Sequence, residues 1–187
     1  DSMDFGWARA GDILGAGCFK IFNDIDPSDI IQGELGTCYF LCALSALAEQ
    51  PALILRLFDT KVPNKEGVNA VWLNSGGIWR EILVDDYFPV IKCKEKLHFA
   101  FTSTKEHEVY VQILEKAYAK VFGSYLGIDG GLAGHALRDL TGAPVISLEL
   151  SESENVDWVW DRLKEADQRG WVMTAGTFFG NSQQKEP

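Results

Sequence analysis

The run from Cys38 to Ala48 constrains this chain more than any other segment. Tyr39-Phe40-Leu41-Cys42-Ala43-Leu44-Ser45-Ala46-Leu47-Ala48 are helix formers with apolar character almost all round, and Pro51 stands just past the end. A helix with no polar face has nowhere to lie but inside a protein, so these residues predict a central, largely buried helix. The segment before it, Gln32-Gly33-Glu34-Leu35-Gly36-Thr37, holds two glycines that let the backbone turn tightly onto the helix.

Other segments arrange themselves around that helix. Tyr110, Ile113, Leu114, Ala117, Tyr118 and Val121 fall on one face of a helix over 109–122, which Gly123 caps. A short helix is expected over 52–58. Alternation over 69–73 and 78–84, joined by Asn74-Ser75-Gly76-Gly77, predicts a hairpin. The opening stretch to Ile31 reads as loop with short turns, and a second loop carries Pro89. Gly127-Ile128-Asp129-Gly130-Gly131 is flexible enough to be a lobe boundary. Beyond it we expect a helix from near Ala133, a strand over 145–150, a helix over 156–169 ended by Gly170, and a strand over 171–176. The tail over 181–187 carries no packing signal. Strands and helices in segregated runs define an α+β fold.

The chain of 187 residues, 47% hydrophobic, is long enough for one sizeable core or two small lobes. Its net charge of -10 disfavours nucleic acid as a partner, because phosphate contact needs clustered Lys and Arg. Cationic partners, calcium among them, are electrostatically easier. No stretch reaches the roughly 18 apolar residues of a membrane span, and Asp1-Ser2-Met3-Asp4 lacks the basic then apolar pattern of a signal peptide. An intracellular, cytoplasmic protein is expected. Cys18, Cys38, Cys42 and Cys93 are too few for a disulfide scaffold and form no CxxC half-site, so reduced thiols are expected.

Of these cysteines, Cys38 sits where chemistry is available. A helix N-terminus lowers a thiol pKa, because its unpaired N–H groups and the helix dipole favour the thiolate. Gln32, six residues upstream, can aim its amide at the oxyanion of an acyl-transfer intermediate beside the Cys38 N–H. The alternative for Cys38 is a buried structural thiol. Cys42, one helical turn later, reads as core packing rather than as a redox or metal partner. Asp85-Asp86 follows a strand and precedes Phe88-Pro89, which makes it a structural turn rather than an acid–base pair.

Gln-Gly-x-x-Gly-x-Cys followed by an aromatic and an apolar helix resembles the nucleophile motif of the calpain family of papain-like cysteine proteases. Further matches run in order along nearly the whole chain: Trp7 with Arg9, Val84 to Pro89, Leu114 to Lys120, Gly123-Ser124-Tyr125, Gly130-Gly131, and Asp139 to Gly142. The resemblance implies a papain-like α+β architecture, with a helix-rich first lobe over 1–131 built on the Cys38 helix and a sheet-bearing second lobe beginning over 132–187. It implies calcium-regulated endopeptidase action on protein or peptide substrates, with Cys38 as nucleophile, Gln32 as oxyanion donor, and Gly130 and Gly131 pairing with the substrate backbone.

The same resemblance implies one Ca²⁺ in the first lobe, held by the carboxylates of Asp29 and Glu108 and the carbonyls of Phe22 and Asp24. Three departures from the family pattern are Thr37 in place of its acid, Tyr39 in place of its tryptophan, and Pro27 in place of its arginine. A cysteine protease also needs a histidine base and an Asn or Asp to orient it. His98, His107 and His135 do not match the family's histidine, which lies in the second lobe after the segment that 171–176 resembles. The rest of that lobe and further domains are therefore expected partners, and the fragment alone is expected to be inactive. A non-catalytic binding or regulatory module of calpain-like fold is the competing reading.

Overall fold

A computed structural model describes residues 5–105, 107–148, 150 and 155–177 of the chain. They fall into two compact units, Asp1–Glu149 and Leu150–Pro187. Among the described residues no helix is long and apolar enough to cross a membrane.

The first unit carries every described strand. Phe5–Arg9 (β1), Tyr87–Cys93 (β5) and Lys96–Phe99 (β6) form an antiparallel sheet in the order β1-β5-β6. Ile30–Gln32 (β2) pairs with Thr102–Thr104 (β7), and Val68–Ser75 (β3) pairs with Ile78–Asp85 (β4). The β3–β4 hairpin is as expected. Gly76 and Gly77 take φ of 63° and 86°, the two positive values that a two-residue turn matched to strand twist requires, and Asn74 Oδ1 accepts the Gly77 N–H at 3.0 Å.

Two expectations for this unit fail for the same reason. The opening stretch, expected as loop, holds β1, the short helix Ala10–Leu14 (α1), a 3-10 turn at Pro27–Asp29 and β2. The loop expected around Pro89 is β5 itself. Both strands form because each finds a partner some eighty positions away, with Trp7 opposite Pro89 and Ala8 opposite Phe88. Pro89 has no N–H to give, but its pairing toward β6 begins only at Val90, and its carbonyl accepts the Ala100 N–H at 2.9 Å.

Cys38–Ala48 (α2) is the central helix anticipated from its composition. Phe40, Ala43, Leu44 and Leu47 are wholly buried. Pro51–Leu55 (α3) follows, beginning one residue before the expected 52–58 and ending three residues before it does. Tyr110–Val121 (α4) is buried on nearly all sides rather than along one face, and it takes Gln112 and Glu115 inside with its apolar residues. Phe40 of α2 stacks on Tyr118 of α4 with ring centres 4.5 Å apart. Ala133–Thr141 (α5) packs against α2 and β3, and Gly142, at φ 68°, closes it.

The segment over 145–150 forms no strand at its described positions, 145–148 and 150. The second unit holds one described helix, Val156–Gln168 (α6), capped by Asn155 Oδ1, which accepts the Trp158 N–H, and ended at Gly170. The expected strand over 171–176 is irregular here, because among the described residues of this unit no other strand is present to take its N–H and C=O groups. The unit Asp1–Glu149 thus carries helices α1 to α5 together with all the described strands, and among the described residues of the unit Leu150–Pro187 no sheet is formed. The tail over 181–187 lies outside them.

Candidate active site

Cys38 is the first residue of α2 and is exposed, while the helix beneath it is buried. That combination presents a thiol to solvent on a rigid element, at the end where backbone N–H groups are unpaired. All four cysteines are free thiols. Cys42 is half-buried, and burial, with Cys38 close by, pushes its thiol up. A thiol made harder to ionise is a poor partner for exchange, in keeping with a packing role.

The loop before Cys38 is held by backbone geometry. Beyond the Gln32–Thr102 pair, the Gly33 N–H bonds the Phe101 carbonyl and the Glu34 N–H bonds the Ala100 carbonyl at 3.0 Å. A Cβ at Gly33 would overlap both of those carbonyl oxygens, so the ladder continues past β2 only because this residue is glycine. Gln32 is exposed, and its amide donates to the Leu35 carbonyl at 3.1 Å. One N–H is used inside the loop and one remains for an incoming group.

The second glycine of the loop meets the predicted substrate-binding pair. The Gly36 N–H donates to Asp129 Oδ1 at 2.9 Å, and the Gly130 N–H donates to the Gly36 carbonyl at 2.9 Å. Gly130 takes φ 85°. A Cβ at Gly131 would stand 2.6 Å from Tyr39 Cζ, so the ring of the residue after Cys38 lies directly against this glycine. The Tyr39 O–H donates to the Ile128 carbonyl at 3.2 Å. Cys38, Gln32, Gly130 and Gly131 are therefore gathered into one connected region, with Tyr39 as its tie.

Thr37, the other departure around the nucleophile, is wholly buried, and its hydroxyl donates to Glu115 Oε1 at 2.7 Å. Thr102 donates to Glu115 Oε2 at 3.0 Å. Burial pushes the Glu115 carboxyl up to about 7, against the smaller opposing pull of the two hydroxyls. Glu115 was invisible to the periodicity of α4, which marks only the apolar face. The Thr37–Glu115 contact joins residues 78 positions apart.

The sign of the Glu115 contribution follows from its raised pKa. The folded chain holds the proton more tightly than the unfolded chain, whose carboxyl titrates near the ordinary 4.5. The stability linked to that proton is complete below pH 4.5 and is lost as pH rises toward 7, after which it levels off. The span corresponds to roughly 3 kcal/mol. Glu115→Gln keeps the shape and both threonine contacts but cannot ionise. Denaturant unfolding at pH 5 and pH 8 is expected to show a smaller loss of stability between the two in Glu115→Gln than in wild type; equal slopes would refute the assignment.

Of the residues implied as calcium ligands, the segment carrying Phe22 and Asp24 meets Glu108 through Asn23. Glu108 is wholly buried and its Oε2 accepts the Asn23 N–H at 2.9 Å. The buried Tyr110 phenol is raised first by burial and then by the negative charges of Glu108, Asp29 and Asp26. Asp26 was not among the expected ligands; it accepts the Ser28 N–H at 2.7 Å as the cap of the 3-10 turn. Phe22 packs its ring against Phe58 and Tyr110, and Asp24 is exposed. Among the described residues no group of three His, Cys, Asp or Glu side chains converges as a metal ligand set. Asp29 and Glu108 fit a hard cation only if carbonyls such as those of Phe22 and Asp24 complete the oxygen shell.

The remaining candidates occupy other positions. His98 lies on β6, the His107 carbonyl accepts the Lys20 N–H, and His135 is exposed in the first turn of α5. Asp85 and Asp86 are structural. Asp86 pairs with Arg9 at 2.9 Å and Asp85 with Lys116 at 2.6 Å, tying β4 to β1 and α4.

An exposed thiol heading a buried helix, beside an amide donor and a glycine pair, defines a site suited to thiol-based acyl transfer. Comparison with known proteins gives the family. The family model for calpain family cysteine proteases matches residues 1–187. The calpain-type cysteine protease ADL1 of Oryza sativa subsp. japonica is 38% identical over 186 residues, covering 94% of this chain and 8% of that protein. Calpain of Schistosoma mansoni is 36% identical, covering 78% of this chain and 20% of its own length, and calpain-9 of Mus musculus is 30% identical, covering 98% and 26%. The chain belongs to the calpain family of cysteine proteases. It spans between about a twelfth and a quarter of the length of these relatives.

Proposed function

We propose that this chain is the nucleophile-bearing part of a calcium-regulated endopeptidase acting on protein substrates, with lobes over 1–131 and 132–187. The observation that carries the reading is the exposed Cys38 thiol at the head of the buried α2, tied through Gly36 and Tyr39 to Gly130 and Gly131. Cys38 as thiolate attacks the scissile carbonyl, forming a C–S bond while the free Gln32 N–H and the Cys38 backbone N–H receive the oxyanion. Collapse breaks the C–N bond, the leaving amine takes a proton, and water then cleaves the acyl-enzyme. Gly130 and Gly131 present main-chain groups to an extended peptide. The proton-accepting histidine and its Asn partner come from the rest of the protease.

Calcium binding by Asp29, Glu108 and the carbonyls of Phe22 and Asp24 would order the loop between the 3-10 turn and α2. A non-catalytic calpain-like module is the second reading, favoured by the Gln32 amide being already engaged with Leu35. Cleavage of a fluorogenic peptide distinguishes the two. The full-length protein is expected to cleave it at millimolar calcium, Asp29→Ala to need more calcium, and the isolated 187-residue chain to show no cleavage. A full-length protein inactive at every calcium concentration would leave only the binding module.

A further inference from the structure

Glu115 is a buried carboxyl that this chemistry does not use. Its carboxyl, on α4, is 2% exposed, and both oxygens are taken by hydroxyls that are themselves buried, those of Thr37 and Thr102. Thr37 lies at one end of the nucleophile loop, and Thr102 lies on β7 against its other end. Thr37 is the residue before Cys38 and occupies the cap position of α2, yet its side chain makes no capping bond to that helix. A threonine at a cap ordinarily bonds its own helix; here the hydroxyl turns to α4 instead. Thr102 stands directly opposite Gln32 in the β2–β7 ladder.

We propose that Glu115 is a positioning residue for the Cys38 nucleophile, one carboxyl group that ties the end of the loop at Thr37 to the strand paired with its start at Gln32 and so sets the thiol relative to the Gln32 amide. The inference rests on the reading of Cys38 and Gln32 given above. Stability does not account for Glu115, because a carboxyl buried with only two hydroxyl donors costs more than an apolar side chain of the same volume. The surroundings leave it little freedom to move. With Phe88, Phe99, Phe101, Gln112 and Tyr125 it lines a partly open pocket of about 10 Å³, room for about one water. The Gln112 amide, one turn earlier on α4, is buried there without a hydrogen-bond partner. Carboxyl, amide and pocket form a polar centre under the loop rather than an isolated charge.

Thiol alkylation in the full-length protein tests the clamp without relying on catalysis. The rate at which iodoacetamide modifies Cys38 is measured by mass spectrometry at pH 8, with the exposed Cys18 and Cys93 as references in the same sample. Glu115→Gln removes the charge and keeps both contacts; Glu115→Ala removes both. The Cys38 rate, relative to the reference thiols, is expected to be unchanged or higher in Glu115→Gln and about fivefold lower or more in Glu115→Ala, as the loop and helix end loosen. Should Glu115→Ala not fold, the double variant Thr37→Val/Thr102→Val is expected to show the same fall. Equal Cys38 rates in Glu115→Gln and the unclamped variant, or a parallel change in all three thiols, would overturn the proposal. A Cys38→Ala variant that still cleaves peptide would overturn the reading of Cys38, and the alkylation ratio would still decide on the clamp.

Discussion

Cys38→Ala in the full-length protein is expected to lower kcat/KM for peptide cleavage by about 10⁴-fold or more while leaving the fold intact. The magnitude follows from the loss of the covalent step, for which no other group at the site can substitute. The Gln32 amide and the backbone N–H groups would still bind the substrate carbonyl, and they account for the small activity expected to remain. The indifference of the fold follows from exposure. Cys38 contributes nothing to the core that Phe40, Leu44 and Leu47 form below it, so the change in stability should stay within about 0.5 kcal/mol. Steady-state kinetics and thermal unfolding on the same preparations check both halves. Retained activity would remove Cys38 from the mechanism, and a large drop in Tm would mean that lost activity reports lost structure.

Phe40→Ala is the opposite case, expected to cost about 3–5 kcal/mol of stability. Phe40 is wholly buried and its ring stacks on Tyr118, which in turn donates from its hydroxyl to Asp139 Oδ2 at 3.1 Å. One residue therefore joins α2 to α4, and through Tyr118 to α5. Removing the ring leaves a cavity between elements that backbone hydrogen bonds hold in place, so the site cannot collapse to fill it. Urea unfolding measures the change; a loss below about 1 kcal/mol would show that α2 is less central than its burial indicates. Cys38 lies two residues away, so thiol reactivity should become less selective as the helix end frays.

Much of the site is legible in the amino-acid sequence itself. The glycines at 33 and 36, the thiol at 38 and the apolar helix after it are contiguous, and helix and turn chemistry act over that range. The tie to Gly130 and Gly131 is legible only through resemblance, since no local pattern connects residues some ninety positions apart. The meaning of Thr37 and Tyr39 is not legible at all. As departures from a motif they carry no sign, and only their contacts with Glu115, Ile128 and Gly131 give them roles.

The strands divide along the same line. The β3–β4 hairpin is visible in the sequence because two glycines close it locally. The pairing of β1 with β5 is not, because a strand is stabilised by its neighbour and Pro89 argues against one. The segments over 145–150 and 171–176 show the converse, strand-like composition without a strand to pair with among the described residues. By itself, then, the sequence determined the central helix, the place of Cys38 at its head and the resemblance to the family, because periodicity, capping and motif spacing are local properties, while the exposure of the thiol came from the folded chain. The tertiary structure decided which distant strands pair and which carboxyl is buried beneath the nucleophile loop. Those depend on partners that only the folded chain brings within hydrogen-bonding distance.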